Sequence, residues 1–203
     1  MEFFWHLTDT IPIGIIASMD NRTRILDCAR QLFSARGYDA VGIQEIVDTA
    51  GVTKPTLYHY FASKHGLLES LLETDFAGFA DRLREAAASP GNLPQALEKV
   101  IRVYFENARQ HPQFYRMRLS MYFAPPDSEP NLAVIGYMME QFEIIETLFA
   151  QALSHMHNRR QSYAATFIGT IDTYIGLFLN RQIELTENLA HQAAHQFMHG
   201  IFS

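Results

Sequence analysis

The chain reads as an all-α protein, and three observations lead there. Apolar residues recur at three- and four-residue steps along most of its length. No stretch alternates apolar with polar residues as a half-buried strand would, and the interruptions are short clusters of Gly, Pro, Ser and Asn. No internal repeat of useful length accompanies the pattern. A hydrophobic content of 48% with 19% charged residues suits a folded globular chain. With 203 residues it can bury a substantial core and lies between one domain and two. The expected division is an extension over 1–19, a three-helix head over 20–66 and a larger helical unit over 67–203, about nine helices in all.

The first 18 residues, M-E-F-F-W-H-L-T-D-T-I-P-I-G-I-I-A-S, open with Glu2 where a secretory signal would be basic. Pro12 and Gly14 interrupt the apolar run, which is too short to span a bilayer. The segment reads as an extension or a misplaced start, with Met19 a natural first residue and Asp20 or Asn21 capping the helix that follows. An arm lying in a DNA minor groove would want Arg or Lys, and it has neither. The first helix then runs through T-R-I-L-D-C-A-R-Q-L-F and carries the single cysteine, Cys28. One cysteine excludes an internal disulfide and fits a reducing compartment, and Cys28 reads as a small buried hydrophobe.

Residues 41–68, V-G-I-Q-E-I-V-D-T-A-G-V-T-K-P-T-L-Y-H-Y-F-A-S-K-H-G-L-L, predict two short helices joined by a glycine corner, then a third, long helix. Ile43, Ile46, Val47 and Ala50 mark the inner face of the first. Gly51 can close that helix in the left-handed conformation, Thr53 is a good N-cap, and Pro55 falls in the first turn of the next helix. Leu57 and Tyr60 are expected to point inward, leaving Lys54, Thr56, Tyr58 and His59 facing out. Two helices crossing through a tight turn, the second offering polar and aromatic groups, suit entry into a DNA major groove.

The run A-G-V-T-K-P-T-L-Y-H-Y-F-A-S-K with Leu67 and Leu68 resembles the TetR family of bacterial transcriptional regulators, over residues 20–68. The Leu-Tyr-x-x-Phe-x-x-Lys continuation carries most of the specificity. Two departures stand out: the family usually has a hydroxyl residue where Val41 and Gly42 stand, and often alanine where Val47 stands. The resemblance implies a ligand-responsive regulator, most often a repressor, that binds a palindromic operator as a homodimer in the cytoplasm. It further implies that Lys54, Pro55, Thr56 and His59 approach bases while Thr53, Tyr58, Tyr60 and Lys64 hold phosphates. Physically, Lys54 can donate to guanine, and the Pro55 ring and Thr56 methyl can pack on a thymine methyl. A net charge of −6 is compatible with this once it is divided. Residues 20–66 carry six basic and five acidic side chains, whereas residues 67–203 carry ten basic and fifteen acidic ones.

Beyond the head, Ser63 can cap a helix running from residue 64 to about 88, with Leu67, Leu68, Leu71, Leu72, Phe76, Phe79 and Leu83 as its apolar stripe. This helix would act as a lever between head and effector. Helices follow over about 93–110, from Pro112, over 131–156, over 159–181 and over 186–202, and A-P-P-D-S-E-P at 124–130 is the clearest loop. Residues 163–179 are apolar on nearly every face. Ala165, Gly169, Thr173 and Gly176, with Phe197 of the last helix, fit a close helix approach between two subunits; a core helix of the monomer is the alternative.

No catalytic motif is present, so an enzyme is not expected; neither is a cofactor. His191, His195 and His199 share a helix face at a spacing able to hold a metal, but a solvated or interfacial face is the expected reading. The set Phe76, Phe79, Tyr104, Tyr115, Met121, Tyr122, Met138, Phe142, Asp172 and Tyr174 suits an adaptable pocket for an apolar or aromatic effector. Each is also a natural core residue. Asp172 needs a partner if buried, with Arg102, Arg116 or Arg118 the structural options and a cationic ligand the alternative. A small-molecule binding protein whose head has lost DNA affinity is the competing function, supported only by the missing hydroxyl at Val41 and Gly42.

Overall fold

A computed structural model describes residues 20–88, 92–152 and 158–200. Within them lie α1 (Asn21–Arg36), α2 (Ile43–Ala50), α3 (Lys54–Phe61), α4 (Lys64–Phe76), α5 (Phe79–Ala87), α6 (Leu93–Gln110), α7 (Pro112–Tyr122), α8 (Glu129–Ala152), α9 (Arg160–Leu179) and α10 (Glu187–His199). The fold is all-α, as the periodicity required. The extension over 1–19, the link at 89–91 and the expected helix ends at 156 and 202 lie outside the described residues. None of the described helices is long and apolar enough to cross a membrane.

The head forms because short helices bury one stripe each. Ile25, Ala29 and Phe33 of α1 meet Ile46 and Val47 of α2 and Leu57 and Phe61 of α3, all between 0% and 4% exposed. Cys28 is buried among them. Gly51 closes α2 at φ 62°, and Thr53 Oγ1 accepts from the Thr56 N–H as the cap of α3. Two expectations need correction here. Tyr60 is not an inner residue: it is 36% exposed, and Phe61, one position on, takes the core place. Asp20 is the first cap but its side chain accepts no hydrogen bond; Asn21 instead accepts from Arg24 at 2.5 Å.

In the body, α6 packs on α5 and α10, and α8 lies on α5, α7 and α9. The helix expected over 64–88 is two. It breaks at Ala77 and Gly78, the latter at φ 69°, and α4 stays with the head while α5 turns onto α6. Head and body meet where α1 lies on α7 and where α4 lies on α8. Arg30 of α1 also grips Asp75 of α4 through two parallel hydrogen bonds of 2.7 Å.

Candidate functional site

The outer surface of α3 is built by what its inner surface needs. With Leu57 and Phe61 committed to the core, a pitch of 3.6 residues leaves Lys54, Pro55, Tyr58, His59 and Tyr60 exposed, with Thr53 at the N-cap and Thr56 half-buried beside it. Tyr58 and Tyr60 are large aromatics left open to solvent, at 46% and 36% exposure. His59 sits edge-on to Tyr60, with ring centroids 5.2 Å apart. Thr53 and Thr56 share a 2.8 Å hydroxyl contact, so both hydroxyls are oriented before any ligand arrives. These residues form one continuous polar and aromatic ridge. Gly42 caps α2 without a side-chain hydrogen bond, which is the physical consequence of the missing hydroxyl.

Lys64 has a different setting. Its ammonium donates to the Tyr38 carbonyl at 2.7 Å and lies 3.9 Å from the centre of the Tyr38 ring. Burial holds its pKa below the ordinary lysine value, against the opposing pull of Asp39 and Glu129. Tyr38 in turn donates its hydroxyl to Glu129 at 2.7 Å, and His65 meets the same carboxylate oxygen at 3.0 Å. Burial first, and then this contact, push the Tyr38 phenol up, so it remains a donor. Periodicity gave no hint of this cluster, because its members are 26 and 91 residues apart in sequence.

The aromatic set expected to line a pocket is only partly brought together. Phe76 and Phe79 flank a small, mainly apolar cavity of about 130 Å³ at the α4–α5 break, with Ala77, Ala80, Tyr137 and Gln141 and the carboxylates Glu73 and Glu140. Phe76 stacks on Tyr137 at 4.4 Å, and Phe79 meets Tyr104 edge-on at 5.2 Å. Behind this wall lies a buried polar network. Gln141 Oε1 accepts from Tyr104 at 3.2 Å and from Arg118 at 2.9 Å, while Arg118 also donates to Asp172 at 2.6 Å. Arg118 is thus the partner that Asp172 required, and its guanidinium lies 4.1 Å from the centre of the Tyr115 ring. Burial raises Asp172 above its usual carboxylate range although Arg118 opposes the shift. The Tyr115 hydroxyl and Arg118 Nε are buried donors without an acceptor among the described residues. Met121 and Met138 are buried and Tyr122 and Phe142 half-buried as core members. Tyr174 packs on Phe105 and reaches Gln196 on the α10 side.

On α9, Ala165, Gly169 and Thr173 are exposed and Gly176 half-exposed, and a methyl group added at either glycine would meet nothing within 4 Å. The Thr173 hydroxyl is spent on the Gly169 carbonyl at 2.8 Å, which leaves the face apolar and shallow. Phe197 instead packs inward, 5.0 Å from Phe167 and 5.8 Å from Phe149. Among the three histidines, His191 binds Glu98 at 2.9 Å and the His195 ring lies tilted against His199 with centroids 4.6 Å apart. No group of three or more metal-ligating side chains occurs among the described residues.

Residues 25–71 match the family described as bacterial regulatory proteins, tetR family. The HTH-type transcriptional repressor NemR of Escherichia coli K12 is 37% identical over 153 residues, 74% of each chain. The HTH-type transcriptional activator FasR of Mycolicibacterium smegmatis is 33% identical over 98 residues, and this match spans only 45% of its length. Among solved structures, Bacillus subtilis FadR in complex with stearoyl-CoA superposes with a TM-score of 0.72 at 20% identity, over 88% of this chain and 98% of that one. At that identity the likeness is one of fold.

Proposed function

The chain belongs to the TetR family of bacterial transcriptional regulators, and from that premise we propose that it is a repressor that binds a palindromic operator as a homodimer and is released by an apolar or aromatic effector. The outer surface of α3 carries the reading: in it Lys54, Pro55, Thr56 and His59 would meet base edges, and Thr53, Tyr58 and Tyr60 would hold phosphates. The N–H groups of Lys64 left free by Tyr38 would take a further phosphate. The effector would enter at the cavity beside Phe76 and Phe79. At about 130 Å³ the cavity admits a small group as it stands. A larger ligand would have to open the joint between α4 and α5, which is the movement that release needs.

Selection of bound duplexes from a random pool tests the DNA half. An inverted repeat should emerge, and Thr56→Ala should relax choice at particular base pairs, by about 1–3 kcal/mol for each base edge that the side chain no longer reaches. Lys64→Ala should weaken binding to all sequences alike and reduce the salt slope by about 1. A slope left unchanged would assign Lys64 to the Tyr38 contact alone. The uncapped start of α2 at Gly42 favours a second reading, a small-molecule binding protein of the same fold without DNA affinity. A pool that yields no enriched sequence would favour it.

A further inference from the structure

We propose that the polar cleft between head and body is a binding site for a small hydroxylated anion, its charge taken by Arg82 and the first turn of α7 and its hydroxyl by Asn107. The cleft measures about 540 Å³ and is separate from the apolar cavity at Phe79, though both open beside the α4–α5 joint. Thr74, Asp75 and Ala77 of that joint form one wall, Arg30 of the head a second, and the corner from Asn107 to Phe114 a third.

Three features of the lining define the ligand. Unlike Arg30 and Arg84, Arg82 faces no carboxylate within ion-pair distance among the described residues. Arg30 is shared between Asp75 and Asp27, at 2.7 and 2.5 Å, so Arg82 is the cation of the lining left to meet an anion. Second, the 11-residue α7 begins without a side-chain cap. Pro112 has no N–H, and the N–H groups of Gln113 and Phe114 have no partner within the helix, which makes the corner attractive to an anion. Third, Asn107 is 2% exposed and lines the cleft, yet its Oδ1 has no hydrogen-bond partner among the described residues. A buried carboxamide oxygen left bare is costly; it has no accessible surface as it stands, so the carboxamide would turn about its side-chain bond to meet a ligand hydroxyl. The last carbonyls of α6, adjoining the same corner, favour donors in the same way. An anion alone would answer only half of this lining, and a neutral polyol only the other half.

The test is calorimetric titration of the full chain at fixed ionic strength, and it does not involve DNA, so it stands apart from the operator reading. Two matched pairs serve as probes: citrate against tricarballylate, which lacks only the hydroxyl, and glucose 6-phosphate against inorganic phosphate. At least one hydroxylated member should bind one per chain and at least fivefold tighter than its partner, and the pair that responds identifies the anion as carboxylate or phosphate. Arg82→Gln, a half-exposed position whose fold is checked by thermal melting, should weaken that probe at least tenfold. Asn107→Leu should erase the preference for the hydroxyl. Absence of binding by both hydroxylated probes, or binding that Arg82→Gln leaves intact, overturns the site. Equal binding within each pair overturns the role of Asn107.

Discussion

A Cβ on Gly66 would fall inside the van der Waals envelope of the Phe61 carbonyl oxygen, closer than any side-chain carbon can approach a backbone atom. This one approach explains how α4 can begin so soon after α3: the chain turns through Ala62 at φ 60°, and the first turn of α4 passes against the end of α3. Gly66→Ala must move backbone to make room, which costs about 1–3 kcal/mol against a helix-propensity gain of up to about 1. Urea unfolding should therefore show net destabilisation, and operator affinity should fall as the angle between α3 and α4 shifts. A variant as stable as the parent would mean that the junction relaxes freely. At this scale the sequence was legible wherever a residue's role follows from helix phase and capping, as for Thr53, Leu57 and the exposed face of α3. Gly66 was not, because its neighbour is set by tertiary approach. Helix phase alone favours Tyr60 over Phe61 as the inner residue only weakly, since both are plausible there and eight residues fix the phase poorly.

The break at Ala77 and Gly78 was equally hidden in the pattern. Phe76, Phe79 and Leu83 keep helical spacing across it, so apolar periodicity continues while the axis does not. The proposed lever is consequently shorter than the stripe suggested: it would be α4, 13 residues or about 20 Å, which packs with the head, and its joint to α5 lies beside the Phe76 and Phe79 cavity. A second connection bypasses it. Glu129, in the first turn of α8, accepts from Tyr38 and meets His65, and so ties the body directly to two elements of the head. Because Glu129 is 47% exposed, solvent screens the link and its worth is at most about 1 kcal/mol. Glu129→Ala should then raise amide exchange in α1 to α3 by up to about fivefold, a factor that corresponds to about 1 kcal/mol. Protection in α9 and α10 should hold. An equal loss in α9 and α10 would show that the contact supports global stability and not the attachment of the head.

At the scale of the whole molecule, the decisive face is the one that the monomer leaves open. The sequence showed α9 to be apolar all round, which admitted both a core helix and a subunit interface. In the structure Ala164, Phe167, Ile171 and Ile175 are buried inward, while Ala165, Gly169 and Thr173 face out. Phe197 was expected on the outer face and belongs mainly to the inner one, since an aromatic at the end of α10 finds Phe149 and Phe167 within reach. A shallow strip of small residues with satisfied hydroxyls lets a second copy approach closely, at little loss of side-chain entropy. Gly169→Arg separates this role from folding. Nothing lies within 4 Å of a Cβ there, so the monomer should be at least as stable as the parent, while sedimentation should show the dimer lost. Operator affinity should drop by at least about 100-fold, because a single head retains one half-site and the charge-driven part of binding. The same dimer is what would make effector release possible. Heads held about 34–36 Å apart meet successive major grooves, and an effector that opens the α4–α5 joint in each subunit disturbs that spacing. Such coupling is typically worth about 1–3 kcal/mol and is reciprocal, so operator DNA should weaken effector binding by about 5–150-fold in the parent and by nothing in monomeric Gly169→Arg. If the variant sediments as a dimer with its operator affinity intact, the interface lies on another face, and the spacing of the heads is set there.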